Sequence, residues 1–349
     1  MRNYKKTEDL SNTIYVGIDV HKKHYLVTVR NDDIELFSSA IPANPGKLIE
    51  FLQKYRANKM KAVYEAGFSG YYLYDKLNEE GIECIVTPPS SVPSEASNRV
   101  KTDRLDSKKL AKYLSKDLLK SVWVPDKEQR YQRELLRRRK QIIGDKKRSQ
   151  GRIKSFMDLY NIKLTTNTSK WTVRYRNELG KLKLEDDYLQ TSFEFLLAEY
   201  DMLSQLLKEC DQKIKELSET ERYQEDVKLL RSIKGVGLLT SMEILLELGD
   251  VSRFSNSKQL AAYVGLTPSQ YSSGEHIRMG HIAKAGKSNL RSLLVEASWT
   301  LVRRDKAMSE KYEKLQYRVG GKRAIVAIAR RLLIIARIML LNRETYRYN

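Results

Sequence analysis

The chain has 349 residues, with 64 Lys and Arg against 44 Asp and Glu, a formal net charge of +20 and a pI near 9.6. Its length predicts two or three domains, each with its own core, and its charge predicts an acidic partner, with nucleic acid ahead of anionic membrane. There is no apolar run of about 18 residues, and MRNYKKTEDLSNT has no signal-peptide core, so the expected location is the cytoplasm, associated with the bacterial nucleoid, without a membrane partner.

Residues 14 to 41 read as three short strands, IYVGIDV, HYLVTVRN and IELFSSAI, with HKK and NDD at hairpin spacing between them. A helix follows, NPGKLIEFLQKYR, with Asn44 at its N-cap and Pro45 at its first position. KMKAVYEAG is then a buried strand, SGYYLYDKLNEEG a helix closed by Gly81, and IECIVTPPS another strand. A strand meander followed by βαβ units predicts a mixed sheet flanked by helices. This order resembles the RNase H-like fold.

From residue 127 the pattern turns helical. Lys127 to Lys154 holds 12 basic and 3 acidic residues, and its clusters Arg137, Arg138, Arg139, Lys140 and Lys146, Lys147, Arg148 need counterions, so this helix is expected to contact nucleic acid. Residues 185 to 226 reverse the sign, with 13 acidic and 4 basic residues. Their apolar positions, from Leu189 through Phe193, Leu196, Tyr200, Leu203, Leu207, Cys210 and Ile214 to Leu217, alternate steps of four and three as a coiled-coil seam does. The heptads leave open whether the partner is the basic helix or a second subunit. The segment between, LTTNTSKWTVRYRNELGK, reads as an irregular turn.

The last third opens with two helical stretches joined by Gly235-Val236-Gly237, a helix-hairpin-helix pattern in which the glycines let the backbone approach a phosphate. Ser255 or Asn256 caps the next helix, and Lys287 or Ser288 begins another; between them lies a loop rich in Gly, Ser and basic residues. The tail from 303 has 13 basic and 4 acidic residues and ends in KRAIVAIARRLLIIARIMLL, whose apolar face predicts core or subunit contact. The expected fold class is α/β plus α, with domains at 1–126, 127–226 and 227–349: a mixed sheet, a pair of long helices with a coiled-coil seam, and a mainly helical domain.

Cys84 and Cys210 lie far apart and read as packing residues, and the four histidines lack zinc-site spacing. Four carboxylates carry the chemistry. Asp19 ends the buried run IYVGI, Glu65 ends KAVY before Gly67, and Asp103 and Asp106 are three apart on a helix, facing one way. Such a set can hold two hard cations that activate an attacking oxygen and stabilise a leaving one on a phosphate. Read without a family, the acids describe a two-metal nuclease or resolvase, or structural residues of an architectural nucleic-acid-binding protein. An ATPase of actin-like fold is the weakest reading, because no phosphate-cradling glycine loops follow the GID strand.

GIDVHKKHYLVTV, VYEAGFSGYYLY and KTDRLDSKKLA resemble the three blocks of the DEDD-type transposases of insertion-sequence family 110. IKGVGLLTSMEILLELGD and AAYVGLTPSQYSSGEHIRMGHIAKAGKSNLRSLLVEA resemble the family's second, transposase domain. The resemblance implies a RuvC-like first domain using Mg2+, or Mn2+ in its place, on Asp19, Glu65, Asp103 and Asp106. It implies a nucleophilic serine in YSSGEHIRMG, either Ser272 or, by the glycine that follows it, Ser273. It implies donor and target DNA, a structured noncoding guide RNA made by the element, and a dimer or tetramer as partners. Arg278, Lys284 and Lys287 are further candidate phosphate contacts.

Overall fold

The computed structural model describes residues 13–55, 59–93, 103–164, 171–273, 276–282 and 286–348, without the side chains of 103, 104, 270–273 and 276–279. The chain divides into two compact units, 1–124 and 125–349.

In the first unit, β1 (Ile14–Val20), β2 (His24–Arg30) and β3 (Glu35–Pro42) form an antiparallel meander. Helix α1 (Pro45–Leu52) leads to β4 (Met60–Glu65), and α2 (Tyr72–Glu79) leads to β5 (Glu83–Thr87), both strands parallel to β1. The sheet is mixed, as the sequence predicts, and its strand order is β3-β2-β1-β4-β5. Asn44 caps α1 by accepting from the Lys47 N–H at 3.2 Å, and Pro45 occupies the first turn, where its missing N–H costs nothing.

Strand alternation sorts the two faces. Ile14, Val16, Ile18, Ala62, Tyr64, Cys84 and Val86 pack under α1 and α2. Tyr15, Val63 and Ile85 face the opposite way and pack with Leu110 and Leu114 of α3 (Asp103–Ser115). Gly17 makes this second layer possible: a Cβ there would lie 2.1 Å from the Ser107 carbonyl oxygen and 2.5 Å from the Ala111 nitrogen. With no side chain at Gly17, α3 lies directly on β1, and Ser107 hydrogen-bonds Thr28, the strand partner of Gly17, at 2.9 Å.

The second unit begins with α4 (Lys127–Leu159), capped by Asp126, which accepts from the Gln129 N–H at 2.7 Å. It continues through α5 (Val173–Leu179), α6 (Asp187–Ser218), α7 (Gln224–Arg231), α8 (Leu238–Leu248) and α9 (Ser257–Val264). A hairpin of β6 (Pro268–Ser273) and β7 (His276–Ile282) is followed by α10 (Ser288–Arg304), α11 (Lys306–Val319) and α12 (Gly321–Asn342). Helices α4 and α6 run antiparallel against each other, so the acidic helix finds its partner in the basic helix of the same chain. Phe193, Tyr200, Leu203, Cys210 and Ile214 are buried as the heptads predict, but Leu197 is buried where the seam has Leu196.

That shift accompanies α5, in a segment whose sequence reads as an irregular turn. Thr172 caps the helix, Leu179 is fully buried, and Trp171 packs 4.8 Å from the Tyr200 ring, closing the end of the helical hairpin. The Gly/Ser-rich loop is likewise regular structure, the β6–β7 hairpin. The apolar face of α12 is core, with Ile328, Leu332, Leu333 and Ala336 buried. No described helix is long and apolar enough to cross a membrane.

Candidate active site

Asp19 and Glu65 occupy matching positions in the first unit. Ile18 pairs with Tyr64 in parallel register, so the next residues, Asp19 and Glu65, stand side by side at the ends of strands about 4.8 Å apart. Asp19 follows the parity of Tyr15 and Gly17, and Glu65 that of Val63; both therefore lie on the face that α3 covers. Asp106 is half-buried on α3, one turn before Leu110, which packs with Val63. Asp103 is the first residue of α3, and its side chain lies outside the described residues.

The sheet thus brings together two acids that are 46 residues apart in sequence, and lays the helix of the other two across the same face. Asp19 Oδ2 lies 3.1 Å from His21 Nε2, and the His21 ring stacks on His24 with centroids 4.9 Å apart. In sequence these histidines are marked only by their lack of zinc-site spacing; the pair stands beside the carboxylate because β1 turns back tightly into β2. Oxygen donors of this kind suit a hard divalent cation. Among the described residues, no group of three or more His, Cys, Asp or Glu is gathered closely enough to hold one.

In the second unit, Ser273 is the last residue of β6 and pairs with His276 of β7, while Ser272 pairs with Ile277 and Tyr271 with Arg278. Gly274, Glu275 and Lys284, and the side chains of Ser272, Ser273 and Arg278, lie outside the described residues. The two serines therefore sit at the tip of a hairpin. Its base is held tightly: a Cβ on Gly286, whose φ is +88°, would lie 2.7 Å from the Tyr263 carbonyl oxygen, and Arg291 donates to the Val264 carbonyl at 2.8 Å.

Transposases match both units. A model described as the transposase family IS116/IS110/IS902 matches residues 227–313, and a DEDD transposase model of IS110 matches residues 16–162. The chain is 32% identical to a transposase for insertion sequence element IS1533 of Leptospira borgpetersenii, over 71% of this chain and 73% of that one. The chain belongs to the IS110 family of transposases. It is also 28% identical to a transposase for insertion sequence element IS1111A of Coxiella burnetii, over 98% of this chain and 94% of that one. A pilin gene-inverting protein of Moraxella bovis is 34% identical over 31% of this chain and 34% of its own length.

Within this IS110-family chain, the basic residues singled out in α4 divide by what they touch. Arg139 pairs with Asp211 of α6, Arg137 with Glu134, and Arg148 with Asp145, so part of this charge is neutralised internally. Arg138 contacts Gln141 at 3.3 Å, and Lys146 lies over the Tyr200 ring at 5.0 Å. Lys140 and Lys147 are exposed. Gly235 and Gly237 also divide. Gly235, with φ +100°, would place a Cβ 2.5 Å from the Ala297 carbonyl oxygen, so it serves the packing of this turn on α10. Gly237 has no atom near such a Cβ and is the uncapped, exposed N-cap of α8, the position open to an anion.

Lys287 is not a free cation: its Nζ lies 2.8 Å from Glu247 Oε2. One turn earlier on α8, the buried Glu243 accepts from Asn289 Nδ2 at 2.6 Å. Burial holds the Glu243 carboxyl above its ordinary range, the Asn289 hydrogen bond opposes this, and the Glu247 charge adds to the rise. Residues of α4, α8 and the start of α10, including Lys140, Glu243, Glu247 and Lys287, line a cleft of about 260 Å³. Glu243 and Glu247 were hidden in sequence because MEILLEL reads as an ordinary core helix.

Proposed function

We propose that this IS110-family chain moves an insertion sequence by metal-dependent, serine-mediated DNA strand exchange. The observation that carries the reading is the placement of Asp19 and Glu65 side by side on the sheet face crossed by the helix of Asp106. Asp19, Glu65, Asp103 and Asp106 would hold Mg2+, with Mn2+ an alternative, and the bound cation would neutralise charge developing on a DNA phosphate. The Ser273 hydroxyl attacks phosphorus: the Oγ–P bond forms as a P–O bond of the DNA breaks, and the departing oxygen takes up a proton. A hydroxyl end of another strand then attacks the phosphoserine and restores the serine. The number of phosphoester bonds is unchanged, so no ATP is needed.

A relative named for gene inversion supports strand exchange over hydrolysis, because inversion requires the cut ends to be rejoined. The net charge of +20, together with the exposed Lys140, Lys147 and Gly237, supports contact with a structured guide RNA and with donor and target DNA. Specificity then resides in base pairing. Exchange of two strands at each of two sites is served by a dimer or tetramer. The proposed division of labour places acids in 1–126, the helical pair in 127–226, and the serine and helix-hairpin-helix in 227–349.

The test is incubation with a nicked suicide DNA substrate and Mg2+, followed by a denaturing gel. Wild type gives a covalent protein–DNA band, and Ser273→Ala gives none while still binding DNA. A band that persists in Ser273→Ala rejects Ser273 and makes Ser272 or Tyr271 the next candidate. Cleavage without any band in the wild type indicates a hydrolytic two-metal nuclease instead.

A further inference from the structure

The first half of α12 carries charges that work against its own stability. Lys322 and Arg323 lie in the first turn, where the helix dipole disfavours cations, no acidic residue accompanies them, and no side chain caps the N-terminus. Arg330 lies seven residues after Arg323 and hence on the same stripe, opposite the buried Ile325, Ile328 and Leu332. Lys322 and Arg323 are exposed and Arg330 is half-buried; among the described residues, no carboxylate lies within ion-pair distance of any of the three. Cations placed where they cost helix stability, with no counterion among the described residues, suit a partner outside the chain.

These three side chains border a cleft of about 360 Å³ between α12 and the base of the β6–β7 hairpin. Its other wall includes His281, and Leu266, Ile282 and Val326 supply apolar surface. Among the described residues, no acidic one lines it. A basic rim over an aliphatic floor is what a nucleic-acid strand needs, with cations for the phosphates and apolar surface for the sugar and base faces.

We infer that this cleft binds one strand of the DNA undergoing exchange, with Lys322, Arg323 and Arg330 on its phosphates. The assignment of the strand as DNA rests on the serine mechanism proposed above, because the cleft lies at the base of the hairpin whose tip carries Ser273. Five residue steps separate Pro268 at the cleft from Ser273, about 17 Å along a strand. At the B-form rise per nucleotide that corresponds to about five nucleotides. The cleft therefore grips the strand several nucleotides from the phosphate under attack and fixes its register.

The test uses the full chain and labelled oligothymidylate, with affinity measured by fluorescence anisotropy across a salt series. Replacing Lys322, Arg323 and Arg330 together by Gln keeps part of each aliphatic stem and removes the cations from the helix start, so the melting temperature stays at or above wild type. The slope of log affinity against log salt becomes shallower by about 2, and affinity near physiological salt falls on the order of 10- to 100-fold. The charge-retaining variant K322R/R323K/R330K restores the slope. If the Gln variant melts lower, the charge-retaining variant and the single Arg323→Gln variant carry the comparison. An unchanged slope overturns the inference, and so does a slope that changes with oligouridylate but not oligothymidylate, which marks an RNA site. Binding does not use the Ser273 hydroxyl. If Ser273→Ala still forms the adduct while the slope shifts as stated, the serine assignment fails and the cleft stands; the reverse pattern rejects the cleft alone.

Discussion

At the scale of single residues, Gly17 is the position on which the acidic face depends. Any side chain there meets the Ser107 backbone, so Gly17→Ala must push α3 off β1. The expected loss is on the order of 1–3 kcal/mol, read from the thermal or urea unfolding of the full chain, with strand exchange falling as Asp106 moves. Asp19→Asn and Glu65→Gln should instead leave stability near wild type and lower strand exchange by about 10²-fold or more, because they remove charge without changing shape. Glu243 makes a pH prediction. Its carboxyl is raised in the folded protein, so the folded state holds the proton more tightly than the unfolded chain, and this residue's contribution falls as pH climbs from the ordinary carboxylate range through the raised value. Glu243→Gln keeps an acceptor for Asn289 and should melt higher than wild type at pH 8, with a flatter pH profile; equal melting temperatures at pH 4 and pH 8 in both proteins would argue against a raised carboxyl. The positions of Asp19 and Glu65 were legible because strand parity and strand ends show in sequence. The ties of Lys287 to Glu247 and of Arg139 to Asp211 were not, since each pair spans tens of residues brought together only by helix packing.

At the scale of elements, the legible parts were those with enough residues to show a period. Helices α4 and α6 announce themselves over some thirty residues each, and the strands of the first unit do so by alternation. Helix α5 has seven residues and a single fully buried side chain, too few to display a helical stripe. The β6–β7 hairpin was missed because β6, PSQYSS, has three Ser and no apolar alternation; the usable signal was the two-residue Gly274-Glu275 spacing between YSS and HIRM. The turn between α7 and α8 is held by the end of the chain. The Tyr348 hydroxyl accepts from the Lys234 N–H and donates to the Ser232 carbonyl, both at 2.6 Å, and Lys234 Nζ lies 4.3 Å from its ring. Tyr348→Phe removes both hydrogen bonds and is expected to destabilise this unit by about 1–2 kcal/mol, measured by denaturant unfolding; hydrogen exchange at Lys234 should speed up with it.

At the scale of the whole molecule, composition alone indicated a polyanion partner, and the structure explains why the charge does not disrupt the fold. The acidic α6 lies along the basic α4 and ties up Arg139 and Arg152, while Lys140 and Lys147 of α4 and the cations at the start of α12 stay exposed. The family and its two matched regions follow from blocks that could be read in sequence. The proposed strand exchange joins a serine of the second unit covalently to DNA and needs the acids of the first. The most direct measurement is mass spectrometry of the protein after reaction with suicide DNA and Mg2+, protease digestion and nuclease trimming. The expected result is a nucleotide phosphodiester on Ser273, absent when Asp19 is replaced by Asn. A modification on Ser272 or Tyr271, or DNA cleaved with every peptide unmodified, would contradict it.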